Sequence, residues 1–271
     1  MASHESAIIT QGAEVDSSAL IGPFCVVGPH VKIGAGTELK SHVIIDNHTT
    51  IGEANTIHPY AVLGGEPQDL KFSGKATRLI IGDNNVIREG ATMNIGTVKD
   101  KQETRIGNGC LFMAYSHVAH DCIIGDHVVL ANSVGLAGHV ELGDHVIVGG
   151  LAGVHQFGAI GRHAFLAGGA MATLDVPPFC IAQGDRAKLV GINVLGLKRA
   201  GWDREQIRAI REAFKQLFSA ATAHLGALER VENGLAKEHA GVNEMVKFIR
   251  ASKRGICAAR HALPSTDPYE G

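Results

Sequence analysis

Five cysteines are spread over 271 residues (Cys25, Cys110, Cys122, Cys180, Cys257), an odd number with no C-x-x-C pair. That excludes a disulfide framework and fits buried thiols in a reducing compartment. Neither sign of charge is in excess: charged residues make up 19% and the net charge is -2, so no nucleic-acid partner is expected. No window approaches ~18 uninterrupted apolar residues. The start, MASHESAIITQG, has no basic segment followed by an apolar run. The expectation is a soluble, cytoplasmic protein with no membrane span and no leader. Aromatic residues are only 5%, which leaves aliphatic residues and 34 glycines to carry the pattern. The length suffices for a well-buried core and one or two domains.

What is there is regular. Aliphatic residues recur every six positions from Ile9 through Val15, Ile21 and Val27 to Leu63, and again from Ile106 through Phe112, Val118 and Ile124 to Leu166. Ile81, Ile87 and Met93 form a short run between them. Glycine often follows, as in Ile33-Gly34 and Ile124-Gly125, and a small or β-branched residue stands four places after the aliphatic, as at Cys110, Ser116, Cys122 and Val128. A period of six is no multiple of the helical 3.6 but suits short strands joined by tight bends. One large and one small inward side chain per hexad fill a narrow core, with glycine at bends of positive φ. The architecture implied is a parallel β-helix with three hexads to an 18-residue coil. A Gly-rich β-sandwich would need alternation of period two and irregular spacings.

The register breaks at 64–78 and near 96–104, where loops leave the repeat intact on both sides, as tolerated and often functional insertions do. After Ala187 the pattern turns helical. Asp203 and Gln206 form a capping-box pair ahead of an apolar stripe, Ile207, Ile210, Phe214, Leu217 and Phe218. Further helices are expected at about 223–238 and 241–254. The expected division is a β-helix domain over 1–186 and an α-helical domain over 187–271. Charge divides with it: 11 Lys+Arg against 18 Asp+Glu (net -7) in the first part, 14 against 9 (net +5) in the second.

The repeat turns sequence separation into proximity, because residues 18 apart lie in adjoining coils, about 4.8 Å apart. Gly138 should lie over His120, Gln156 over Gly138 and His139 over Asp121, with His155 flanking Gln156. None of His117, His120 and His139 occupies an inward position, so all should face outward. His127, His145 and His163 share the fourth place of their hexads, beside the bend, where a turn role suffices. His120 departs from that place and has a glycine over it. An exposed imidazole beside an unobstructed backbone N–H suits general-base catalysis at an acyl centre: the ring takes a proton from an attacking hydroxyl and the N–H stabilises the oxyanion. Asp121 could orient the ring or raise its basicity, although neighbours on a strand point apart. A competing arrangement gives His117, His120 and His139 to a zinc with one open position, as in β-helix hydratases of the γ carbonic anhydrase type. A β-helix with a binding or structural role and no chemistry is the third.

The hexad prism, with SHVAHDC, LAGHV, GVHQFG, DVPPF, IAQG, GINVLGLKRAG and the helical tail, resembles the UDP-N-acetylglucosamine O-acyltransferases, the hexapeptide-repeat family that opens lipid A biosynthesis, over nearly the whole chain. The resemblance implies an all-β left-handed parallel β-helix followed by a small α-helical domain, where the general rule for parallel crossovers gives the right-handed sense. It implies a homotrimer with active sites between subunits. It also implies transfer of a 3-hydroxyacyl chain from acyl carrier protein to the 3-hydroxyl of the UDP-sugar, with no metal or cofactor.

Carried over by motif, the base is His120, Asp121 its partner and Gly138 the oxyanion donor. His117 and His139 match sugar-nucleotide contacts, as do Gln68, Asp69 and Lys71 in PQDLKF. His155 and Gln156 match VHQF, and Asn193 and Arg199 match the nucleotide segment, where Arg199 would meet a phosphate. Gly169 falls where family members set acyl length, and its missing side chain implies a long chain. The cationic tail should attract acidic acyl carrier protein. Two departures stand out: TMNIGT puts Asn94 and Ile95 where the family commonly has a histidine-arginine pair, and Leu195 stands where a glutamate is often found. Asparagine at the first is associated with a 3-amino sugar acceptor in related sequences, so the acceptor is UDP-N-acetylglucosamine or its 3-amino analogue. The later N-acyltransferase of the pathway carries a uridine-binding domain before its β-helix, for which hexads starting at Ile9 leave no room.

Overall fold

The computed structural model describes residues 2–98, 101–218 and 224–260. Residues 99–100 of the second break, residue 223 at the expected helix start and residues 261–271 of the expected helical domain lie outside the described residues.

Strands, mostly of two residues, stack into three sheets of eleven, nine and eight strands. We number the prism faces one, two and three in the order the chain visits them, as with Leu111–Phe112, His117–Val118 and Ile123–Ile124. The result is a left-handed parallel β-helix. Pairing follows the expected register: His117 pairs with Gly135 and Gly135 with Gly153, steps of 18. Across the first break the step is 30, as in Ile51 to Ile81, and across the second it is 25, as in Ile81 to Ile106. The breaks thus add twelve and seven residues to a coil and leave its pairing intact.

The inward positions form the core as expected. Phe112, Val118, Leu130 and Leu136 are buried, alternating with Cys110, Cys122, Val134 and Ala152. Each buried aliphatic stabilises the fold by roughly 1.5–3 kcal/mol. All five cysteines are buried and none is disulfide-bonded.

Apart from Gly64 at the first break, the glycines after the aliphatics do not supply the bends. Gly107 and Gly125 have no positive φ; a Cβ on either would stand 2.4 Å from Oδ1 of Asp126 or Asp144. The aspartate of each following coil leans over the glycine and accepts a backbone N–H, Asn108 N to Asp126 at 2.7 Å and Asp126 N to Asp144 at 2.9 Å. Close approach, not bending, requires glycine there. Positive φ falls two residues later, mostly on residues with side chains, including Asp121 (59°), His127 (56°), His139 (63°) and His163 (57°). Bonds from the adjoining coil hold these conformations, as His127 N to Asn108 O (2.7 Å) and His139 N to His120 O (2.9 Å). The rings of His127, His145 and His163 stack in parallel at the corner between faces three and one, 4.9 and 4.6 Å apart.

The end of the prism differs from expectation. Cys180–Gln183 joins face one in parallel, and Lys188–Ile192 pairs back onto it antiparallel, so strand continues beyond 187. Helix starts with α1 (Val194–Arg199), capped by Asn193, whose Oδ1 accepts from Gly196 N at 3.0 Å. α2 (Arg204–Phe218) opens on the expected capping box, Gln206 N to Asp203 Oδ1 at 2.7 Å and Asp203 N to Gln206 Oε1 at 3.2 Å. α3 (His224–Asn233) and α4 (Leu235–Glu238) replace the single expected stretch, divided at Gly234, and α5 (Ala240–Ala251) follows. Arg162 ties this part to the prism: its guanidinium lies over Phe179 and Trp202 and makes a two-pronged pair with Glu244 of α5, the shortest contact 2.6 Å. Among the described residues no helix is long and apolar enough to cross a membrane.

Candidate active site

Both breaks leave the prism at the corner between faces two and three and pack together there. Thr77 Oγ1 donates to Gly96 O at 2.5 Å, and Asn94 Nδ2 donates to Glu66 O at 2.9 Å. Asp121, His139 and Phe157 occupy the bends of the next coils at this corner, and the Phe157 ring stacks on His139 at 4.4 Å.

His120 Nδ1 meets Asp121 Oδ2 at 2.8 Å. An ionised carboxylate only accepts, so Nδ1 carries the hydrogen and the neutral ring keeps its lone pair on Nε2. The pairing is possible because Asp121 lies at the bend: its positive φ turns a side chain that would point away on a strand back beside its neighbour. Outward exposure was expected and is not found. His120 is 8% exposed and Asp121 is fully buried, because Thr97 of the second break lies against the carboxylate. Thr97 donates both its N–H, at 2.9 Å, and its hydroxyl, at 2.7 Å, to Asp121, and Asp121 N–H donates to Thr104 Oγ1 at 2.8 Å. Burial works against the charge, yet the bonds from His120 and then Thr97 outweigh it, and Asp121 titrates below its ordinary value. His139 stands edge-on to His120, centroids 5.1 Å apart, with Nε2 3.8 Å from Asp121 Oδ2.

Gly138 lies over His120 as the register requires. A Cβ there would stand 2.5 Å from His120 Cε1 and 2.7 Å from Nε2. Among the described residues Gly138 N–H has no acceptor, while its carbonyl accepts from Phe157 N at 3.1 Å. An unclaimed N–H beside an imidazole Nε2 is what a tetrahedral oxyanion needs.

The other expected residues divide among the three corners. His117 lies on face two, its Nδ1 2.7 Å from Thr92 Oγ1; burial, then His120, depresses its titration. Gln68 and Lys71 are exposed on the first break, whose tip is shaped by Asp69 Oδ1 accepting from Lys71 N at 2.9 Å. His155 and Gln156 follow one coil beyond Gly138, His155 exposed with Nδ1–H bonded to Gln156 O at 3.1 Å. Asn193 is elsewhere, at the corner between faces three and one, with Nδ2 on His163 O at 2.9 Å and Oδ1 spent on capping α1. Arg199 ends that helix, exposed. Gly169 is at the third corner, between faces one and two, with no atom within 4 Å of an added Cβ. Thr97 and Thr104 were missed from sequence, and the signal was the 25-residue step, which sets Gly96, beside Thr97, under Asp121.

One ligand-type atom from each of His120, Asp121 and His139 lies within 4.8 Å of the others. His117 is not in this group, and the carboxylate already accepts from Thr97 and His120. A cation among these three would compete with those donors, and the expected alternative zinc set of His117, His120 and His139 is not brought together among the described residues.

Residues 103–138 match the family described as Bacterial transferase hexapeptide (six repeats). With the prism and its buried histidine-aspartate pair, this makes the protein a hexapeptide-repeat acyltransferase. Residues 175–257 match Udp N-acetylglucosamine O-acyltransferase; Domain 2. An acyl-[acyl-carrier-protein]--UDP-N-acetylglucosamine O-acyltransferase of Anaeromyxobacter sp. (strain Fw109-5) is 50% identical over 94% of this chain and 99% of its own. The solved UDP-N-acetylglucosamine acyltransferase of Francisella novicida is 41% identical with a TM-score of 0.92, over 94% of this chain and 93% of its own. That of Moraxella catarrhalis is 44% identical with a TM-score of 0.91, over 94% and 99%. The chain belongs to the UDP-N-acetylglucosamine O-acyltransferase family.

Proposed function

We propose that the chain moves a 3-hydroxyacyl group from the thioester of acyl carrier protein to the 3-hydroxyl of UDP-N-acetylglucosamine, opening lipid A biosynthesis. The observation that carries the reading is His120 under Gly138: an imidazole whose Nδ1–H is held by a buried carboxylate offers Nε2 beside an unclaimed backbone N–H. Nε2 takes the hydroxyl proton as the oxygen attacks the thioester carbonyl and the C–O bond forms. Gly138 N–H receives the charge on the carbonyl oxygen. On collapse the C–S bond breaks, and the proton passes from His120 to the departing thiolate. The products are the ester and the free carrier thiol, and no cofactor is consumed.

The relative's printed name gives the same donor and acceptor. Gln68, Asp69 and Lys71 lie on the break at the corner of His120 and suit the sugar nucleotide, a role that the match to the family also implies for His117 and His139, while His155 and Gln156 follow on the next coil. Arg199 and Gly169 stand at other corners of the same chain, so a site that uses them with His120 needs a second copy, which supports a homotrimer with sites between subunits. The capping bonds of Asn193 leave Arg199 as the group open to a phosphate. Five buried thiols suit the cytoplasm.

One observation favours the 3-amino sugar as acceptor. Asn94 is buried, and its two carbonyl partners, Gly65 O and Glu66 O, fix the amide so that Oδ1 points where no donor meets it. A buried acceptor left alone costs about 1–3 kcal/mol. A hydroxyl that gives its proton to His120 has none left for Asn94, whereas an amine keeps an N–H. Incubating the protein with both UDP-sugars and a series of 3-hydroxyacyl carrier proteins, then weighing the products, tests both readings. No acylated sugar in any combination ends the first, and a preference for the hydroxyl sugar ends the second.

A further inference from the structure

We propose that Thr97, in the second break, is a positioning residue of the transfer: it holds the Asp121 carboxylate so that His120 keeps Nδ1 on the aspartate and Nε2 toward Gly138. This rests on the reading of His120 as the base. Asp121 is fully buried, and a buried carboxylate needs its donors. Thr97 supplies two, an N–H at 2.9 Å from Oδ1 and 3.1 Å from Oδ2 and a hydroxyl at 2.7 Å from Oδ2. Oδ2 is also the oxygen that His120 Nδ1–H reaches at 2.8 Å, so threonine and histidine share one acceptor. Sharing fixes where the carboxylate lies and divides its charge between two donors.

The ends of the second break are themselves held. Gly96 N–H donates to Arg78 O at 3.2 Å, and Lys101 pairs with Glu141 at 2.5 Å. Thr97 is therefore presented to the aspartate by backbone anchored at its neighbour Gly96. Among the described residues, the charged and titratable groups facing His120 include Asp121, His139 edge-on at 5.1 Å, and His117 on the preceding strand.

Thr97→Val keeps shape and backbone N–H and removes the hydroxyl donor. Oδ2 then serves His120 with less competition and favours the imidazolium, so the acid limb of kcat/KM moves to higher pH. Loss of alignment lowers kcat on the order of tenfold, with KM unchanged for both substrates. Thr97→Ser restores kcat and the pH limb. Thr97→Ala is the second variant, and circular dichroism and gel filtration check folding throughout. A valine or alanine variant with wild-type kcat and pH profile overturns the proposal, as does a loss that serine does not restore. Failure of both variants to fold assigns Thr97 a structural role and overturns it as well. His120→Ala in the same assays separates the two ideas: activity without His120 defeats the base, whereas an inactive His120→Ala beside an unaltered Thr97→Val defeats Thr97 alone.

Discussion

Gly138 stands so close over His120 that any Cβ on it would overlap the ring, 2.5 Å from Cε1 and 2.7 Å from Nε2. Real contacts of this kind do not occur, so the imidazole would be pushed off Asp121 or Gly138 N–H turned from its aim. Gly138→Ala is expected to lower kcat on the order of a hundredfold. Circular dichroism should be unaltered, since Gly138 is not an inward position and carries no positive φ. Wild-type kcat in a folded alanine variant would show that the oxyanion is stabilised elsewhere.

The stacked histidines at the corner between faces three and one give the fold a pH dependence of definite sign. Burial, then His145 and Arg162, depress His163 to about 4 from an ordinary value of 6.5. The folded state keeps it neutral while the unfolded chain protonates it, so the unfolded state binds more protons between these values. Stability from this group is complete above pH 6.5 and is lost as pH falls toward 4. Asp144, also facing the ring, works in the opposite sense but is outweighed. His163→Phe preserves stacking on His145 and should flatten the fall of the urea midpoint over that window. Parallel curves for the two proteins would place the pH dependence elsewhere.

Gly169 has a φ of 68°, which strains an L residue by roughly 1–2 kcal/mol. Its corner already tolerates that strain, since Tyr115, Ser133 and Leu151 hold φ of 59–61° in the three preceding coils. Gly169→Met should therefore fold, and its side chain should extend into open space. If acyl chains end there, the preferred carrier-bound chain becomes shorter, read from kcat/KM across a chain-length series. An unchanged preference would reduce Gly169 to a packing residue.

How far the site was legible follows from the register. Gly138 over His120 could be counted because steps of 18 hold without interruption between the coils concerned. The His120–Asp121 bond could not, because strand alternation points neighbours apart and only the positive φ at Asp121 reverses it. Burial of the pair was hidden because Thr97 reaches it from a loop whose length, seven residues beyond a coil, fixes the match. In the last third, Lys188–Ile192 was missed because a short apolar run fits strand and helix alike. The bond of Asn193 to His163 O likewise crosses from tail to prism, which no local pattern encodes.

Arg204, Arg208, Arg211 and Lys215 are spaced at four, seven and eleven residues along α2, which aligns them on one face. All four are exposed, and among the described residues none has an ion-pair partner. Ile207, Ile210 and Leu217 are buried on another side of the same helix, so the cationic face is free of any packing role. An acidic carrier protein would meet this face by long-range attraction, which acts on association more than on the bound state. Replacing Arg208 and Arg211 together by glutamate should raise KM for the acyl carrier substrate on the order of tenfold at low salt. KM for the UDP-sugar should not move. The difference should shrink as salt rises, because screening shortens from about 10 Å at 0.1 M to about 3 Å at 1 M. Equal effects on both substrates would point to a disturbed fold, and no effect on either would leave this face solvated and place the carrier against another surface.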